Sequence, residues 1–123
     1  MIDFPPAEVR CLEAAIHHEA KGEIFAGKLA VGNVVLNRVA APNFPKTVCA
    51  VVKQKKQFSW YNGNINTLNA AVSKDTKSAA KKAMAAKRDD VMFFHATYVA
   101  PKWSKNLRRQ YTLGNHIFYA LNH

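Results

Sequence analysis

Glu19 and Glu23 stand four residues apart in the run His18-Glu19-Ala20-Lys21-Gly22-Glu23, at the end of an apolar helical stretch. Carboxyls are scarce in this chain, with 8 acidic residues against 18 basic ones. Residues at i and i+4 share one side of a helix, so both carboxyls project together if helical geometry runs on through Gly22. Apolar surroundings and a like-charged neighbour each raise a carboxyl pKa. That is the tuning a general acid needs near neutral pH. The plainer reading is a solvated Glu19 and a Glu23 that caps or pairs locally, and spacing by itself favours it. A two-carboxylate glycosidase pair flanks the scissile bond from opposite sides, roughly 5–9.5 Å apart. Two glutamates side by side on one helix flank nothing, and Asp89-Asp90 reads as a turn. The inventory therefore favours one essential carboxyl.

Other constellations are weaker. His18-Glu19 would open the zinc motif H-E-x-x-H, but Gly22 stands where the second histidine belongs. His18, Glu23, His95 and His116 would have to converge through the fold, and neither a metal nor another cofactor is expected. Cys49 lies between Val48 and Ala50-Val51, which predicts an unreactive thiol and not a nucleophile activated by His95 or His116. For Cys11 and Cys49, two buried thiols are favoured over a disulfide.

The elements that must position these groups can be read from periodicity. Asp3 to Pro6 resembles a helix start, because proline suits a first turn. Val9, Leu12, Ala15, Ile16 and Ala20 then recur at helical spacing, and Gly22 ends the helix. Ala26 to Val39 reads as a second, more apolar helix and the central buried one. Thr47 to Val52 fits either a helical turn or a strand. Gln54 to Asn66 reads as a loop whose aromatics and amides suit contact with sugars or bases. Thr76 to Lys87 predicts a helix with a basic face and Asp75 as its N-cap. Val91–Phe94, Gln110–Leu113 and His116–Tyr119 are β-prone, and Gly114-Asn115 offers a two-residue turn.

The 123 residues, 49% of them apolar, fit a single globular domain spanning 1–123. No apolar run approaches the roughly 20 residues that span a bilayer. The N-terminal Met1-Ile2-Asp3-Phe4-Pro5-Pro6 lacks the pattern of a secretory signal, so the expected location is the cytoplasm before release by a signal-independent route. Charge is lopsided: residues 1–45 carry net −1 and residues 46–123 net +11, giving +10 in all. That field draws the chain to polyanions. A nucleic-acid or envelope-binding module is the competing reading, supported by lysines interleaved with Phe58, Trp60, Tyr61 and Trp103. No nucleic-acid-binding motif accompanies them, and specific nucleic-acid binding is not expected.

Six segments in order give the chain a family likeness. They are E-A-K-G-E (19–23), A-V-G-N-V-V-L-N-R-V (30–39), F-P-K-T-V-C-A-V-V (44–52), Q-F-S-W (57–60), F-H-A-T-Y-V-A-P-K-W (94–103) and L-G-N-H-I-F-Y (113–119). Together they resemble the catalytic domain of the cell-wall hydrolases related to the bacterial spore cortex-lytic enzymes. The resemblance implies an α+β, lysozyme-like or lytic-transglycosylase-like fold, mainly helical, with a small antiparallel sheet or hairpin in the C-terminal third. It implies cleavage of peptidoglycan between N-acetylmuramic acid and N-acetylglucosamine. Glu19 matches the family's catalytic glutamate. Glu23, Gln57, Phe58, Ser59, Trp60, His95, Trp103 and His116 match motif positions expected near the glycan. His17-His18 replace the smaller or uncharged residues expected before the glutamate, which bears on how Glu19 is tuned. The implied chemistry is lytic transglycosylation, with hydrolysis by the same site as the alternative. The implied setting is a monomer in an endolysin-like or bacterial wall-lytic role, with peptidoglycan and an anionic envelope surface as partners.

Overall fold

A computed structural model describes residues 4–54 and 71–121. The Gln57–Trp60 motif and most of the loop expected over 54–66 lie outside the described residues. Helix α1 (Pro6–Ala20) opens on a proline in its first turn, where a missing N–H costs nothing. It buries Leu12, Ala15 and Ile16. Gly22, at φ +89°, turns the chain out of the helix, and the Glu23 N–H closes the turn on the Ala20 carbonyl at 2.9 Å. Helix α2 (Phe25–Ala40) is the central element, as its composition predicts; Val31, Val34 and Val35 are fully enclosed.

The next two helices depart from expectation at their starts. Thr47–Val52 resolves into a short helix, α3 (Val48–Val52). Its first N–H groups are capped twice: Thr47 accepts from Ala50, and the Glu8 carboxylate of α1 accepts from Val48 at 2.8 Å and Cys49 at 3.1 Å. Helix α4 (Lys74–Ala85) starts earlier than predicted because Ser73, not Asp75, is the N-cap; its hydroxyl accepts from the Thr76 N–H at 3.1 Å. Asp75 falls in the first turn instead, where a negative charge suits the helix dipole. Thr76, Ala79, Ala80 and Ala83 face the core while Lys77, Lys81 and Lys82 face solvent, so the basic face is present. Helices α1, α2 and α4 meet at Gly32, where a Cβ would stand 3.1 Å from that of Ala83 and 3.2 Å from Ile16 Cδ1.

The expectation of two buried thiols is wrong. Cys11 of α1 and Cys49 of α3 form a disulfide, with Cα atoms 5.2 Å apart. The glutamate cap brings the two helices to bridging distance, which spacing along the chain could not reveal. Glu8, Cys11 and Cys49 are the one group of metal-type ligands clustered among the described residues, and the disulfide consumes its sulfurs.

The last third is a three-stranded antiparallel sheet of β1 (Val91–Ala96), β2 (Arg108–Leu113) and β3 (His116–Ala120) in the order β1-β3-β2. Gly114-Asn115 makes the predicted turn, with Gly114 at φ +55°. A 3₁₀ turn, Lys102–Asn106, lies between β1 and β2. Strand alternation gives the sheet two aromatic layers. Phe94, Tyr111 and Phe118 pack toward the core, the Phe94 and Tyr111 ring centroids standing 5.6 and 5.4 Å from that of Phe118. His95 and Tyr119 point the other way. Asn37 at the end of α2 donates to the carbonyls of Asp89 (2.8 Å) and Val91 (2.9 Å), fixing the start of β1. The expected α+β architecture, mainly helical with a small C-terminal sheet, is the one observed.

Candidate active site

Glu19 occupies the last turn of α1 and is partly buried. It lies three and four residues beyond Ile16 and Ala15, both fully enclosed, so it shares their side of the helix and is drawn to the edge of the core. Burial pushes its carboxyl up from the ordinary value to about 7. The nearby charge it feels is not Glu23 but the Arg38 guanidinium, which pulls it back down. Burial thus does the raising that was expected from burial and a like charge together. His17, just before it, is held below its usual pKa by burial first, then by His18, Lys21 and Lys28. Positive charge on His17 is thereby disfavoured.

Arg38, in the last turn of α2, is only 5% exposed. Its Nε donates to the Met92 carbonyl at 2.8 Å. Its guanidinium stands 5.4 Å from the Phe44 ring centre and 5.1 Å from that of Phe93, within cation–π range. Burial lowers its pKa to about 10 while Glu19 raises it, so it stays cationic at neutral pH. The site therefore holds a weakly acidic carboxyl beside a fixed cation.

From Phe93 an aromatic wall continues outward. Trp103, 42% exposed, packs on Phe93 at 5.8 Å, His95 at 5.6 Å and Tyr119 at 5.9 Å. His95 stacks on Tyr119 at 5.2 Å. Its Nδ1 lies 2.7 Å from the Ala96 carbonyl, which can only accept, so in the neutral ring Nδ1 carries the proton. Nε2 then accepts from the Tyr119 hydroxyl at 2.8 Å. This interlock fixes the angle of the indole.

Glu23 goes elsewhere. Because α1 stops at Ala20, the four-residue spacing does not put the two glutamates on one helical side. The Glu23 carboxylate accepts from the Asn115 backbone N–H at 2.8 Å and the Asn115 side chain at 3.2 Å. His116 Nδ1 lies 3.8 Å away, and burial holds that imidazole below its usual pKa while Glu23 raises it. A Cβ on Gly114 would collide with the Glu23 carboxylate. Glu23 thus latches the β2–β3 turn onto the α1–α2 connection. The described site residues expected from sequence thus fall into three places: Glu19 near Arg38, His95 with Trp103, and Glu23 with His116. Sequence reading missed Arg38, Phe93 and Tyr119. Their signal lay in L-N-R-V, V-M-F-F and I-F-Y, but nothing local marks that arginine among 18 basic residues as the buried one.

The model of the cell wall hydrolase family matches residues 22–119. The match takes in Arg38, the latch and the aromatic wall; Glu19 lies three residues before it and stands on the geometry above. A spore cortex-lytic enzyme of Bacillus cereus is 26% identical over 112 residues, covering 90% of this chain and 43% of the relative. One from Bacillus subtilis is 25% identical over 116 residues, covering 94% and 38%. The chain thus spans less than half the length of these curated relatives. Its fold matches the catalytic domain of the germination-specific lytic transglycosylase SleB from Bacillus anthracis, with a TM-score of 0.85 over 97% of this chain and 98% of the other at 22% identity. The catalytic domain of Bacillus cereus SleB gives the same score at 23% identity, covering 97% and 94%. Matched to the family model over most of its residues, the chain belongs to the cell wall hydrolase family.

Proposed function

We propose that this domain cleaves the glycan strands of peptidoglycan between N-acetylmuramic acid and N-acetylglucosamine, as a lytic transglycosylase with Glu19 as its single proton-transferring carboxyl. The carrying observation is a carboxyl that burial holds protonated close to neutral pH beside a fixed cation. Family membership and the name borne by the SleB structures support the substrate class and the reaction.

In the first step Glu19 gives its proton to the bridging oxygen and the bond from that oxygen to the muramic acid C1 breaks. The carbonyl oxygen of the sugar's own N-acetyl group bonds to C1 and takes up the positive charge, so no second carboxylate is needed. In the second step the Glu19 carboxylate takes the proton of the C6 hydroxyl. The C6 oxygen attacks C1, the N-acetyl oxygen departs, and a 1,6-anhydro end forms with Glu19 protonated again. Arg38 stabilises the transient carboxylate between the two steps. Water in place of the C6 hydroxyl would give hydrolysis. The domain works after reaching the wall, in an endolysin-like or wall-lytic role.

The test is digestion of purified peptidoglycan by wild type and Glu19→Gln, with the products analysed by mass spectrometry. The expectation is anhydro ends from wild type and a loss of about 10²–10⁴-fold in rate for the variant, the usual worth of a positioned acid–base group. A variant clearing wall material at nearly the wild-type rate would remove Glu19 from the mechanism. Reducing ends without anhydro sugar would assign hydrolysis to the same site.

A further inference from the structure

Between β1 and β2 the chain forms an exposed segment unlike the rest of the surface. Tyr98 is 84% exposed, Val99 45% and Trp103 42%. Residues 97–109 hold Lys102, Lys105, Arg108 and Arg109 and not one acidic residue. Arg108 pairs with Asp90 of the neighbouring turn at 2.9 Å, and Arg109 is tied to Thr112 at 2.9 Å. Among the described residues no carboxylate pairs with Lys102 or Lys105. Both sit in the 3₁₀ turn Lys102–Asn106, and side chains three apart in that helix eclipse one another. Their Cα atoms are therefore aligned, about 6 Å apart along the axis. Trp103 stands between them in sequence and is braced by ring contacts with Phe93, His95 and Tyr119 while staying 42% exposed. The turn is itself fastened by Ser104, whose hydroxyl donates to the Pro101 carbonyl at 2.7 Å.

We infer that this segment is a binding surface for the acid-bearing arms of a glycan, with a sugar ring lying on Trp103 and carboxylates meeting Lys102 and Lys105. The inference rests on the glycan-cleaving reading and adds to it the chemical class of the substituents recognised. A rigid indole face suits the apolar side of a sugar ring, because its orientation entropy is already spent. Two lysines with no carboxylate partner among the described residues suit carboxylates spaced along a polymer, such as lactyl groups or peptide side arms. An anionic membrane is the rival partner. It is less favoured, because Trp103 is half covered and braced from behind instead of free to insert.

The test measures binding by calorimetry on the Glu19→Gln variant, which leaves the ligand uncut. Three probes are compared: peptide-bearing muramyl fragments, a neutral N-acetylglucosamine oligomer, and vesicles containing anionic phosphatidylglycerol. Adding Lys102→Gln with Lys105→Gln should weaken binding of the peptide-bearing fragments about three- to thirtyfold and flatten its salt dependence, two exposed charge contacts' worth. The neutral oligomer should be unaffected by that change. Trp103→Ala should weaken both saccharides about tenfold, with circular dichroism checking the fold. The double lysine variant is solvent-facing and tests the proposal independently of Trp103. Unchanged affinity of the peptide-bearing fragments in that variant would overturn the inference. So would vesicles binding as tightly as the fragments with the same dependence on the lysines. Because these assays read binding and the anhydro-product assay reads cleavage, failure of one reading does not mimic failure of the other.

Discussion

At the scale of single residues, the proposed chemistry turns on how Glu19 is solvated. A carboxyl of ordinary strength would be almost wholly ionised near pH 7 and useless as an acid. Burial moves it to about 7, where both forms are populated. This has a cost of known sign. With its folded pKa above the unfolded value, Glu19 favours the native state fully at pH below the unfolded value, and that contribution fades as pH rises through about 7. Wild type should therefore lose up to about 3 kcal/mol relative to Glu19→Gln between about pH 4 and about pH 8, less where solvent reaches the carboxyl. Denaturant melts of the two proteins across that range check it, and parallel curves would show that the carboxyl is not shifted. Activity should fall on the alkaline side with an apparent pKa near 7. Arg38→Met removes the opposing cation, so that limb should move to higher pH while overall rate drops. A limb unmoved in a folded Arg38→Met protein would disconnect the two residues.

At the scale of elements, helix ends and turns decide where functional groups go. Glu19 and Glu23 look equivalent in sequence, yet one stays on the helix and the other is swung away by Gly22 to hold a hairpin turn. The latch predicts that Gly114→Ala costs roughly 1–3 kcal/mol, from a left-handed backbone and from collision with the Glu23 carboxylate. Adding Glu23→Ala should cost less in the Gly114→Ala background than in wild type, because the collision has gone; strictly additive thermal melts would argue against the latch. The long helices, the C-terminal strands and the Gly114-Asn115 turn were legible in the sequence because they depend on local periodicity and turn chemistry. The N-cap of α4 was not, because Ser73 and Asp75 are both competent caps and only packing of Thr76, Ala79 and Ala83 selects the phase. The pairing of His95 with Tyr119 was likewise invisible, since it depends on strand register across β1 and β3.

At the scale of the molecule, the proposed acid and the strongest positive field come from different parts of the chain. Residues 1–45, net −1, supply Glu19 and Arg38, while residues 46–123, net +11, supply the sheet and the lysine-rich surfaces. That division was readable from composition alone. The disulfide was not, because two cysteines 38 residues apart announce nothing until α1 and α3 are seen side by side. Closing a loop of that length is worth at most about 4 kcal/mol by chain entropy. Reduction should thus lower Tm by roughly 10–20 °C, measured by calorimetry with and without dithiothreitol; an unchanged Tm would mean that the Glu8 cap and the core suffice. The bridge fastens the first half of α1, whereas Glu19 sits two turns further on, past the crossing at Gly32. Reducing surroundings should therefore shorten the protein's working lifetime at elevated temperature while leaving its initial turnover at moderate temperature nearly intact. Under the proposed mechanism, durability rests on the first half of one helix and catalysis on its last turn.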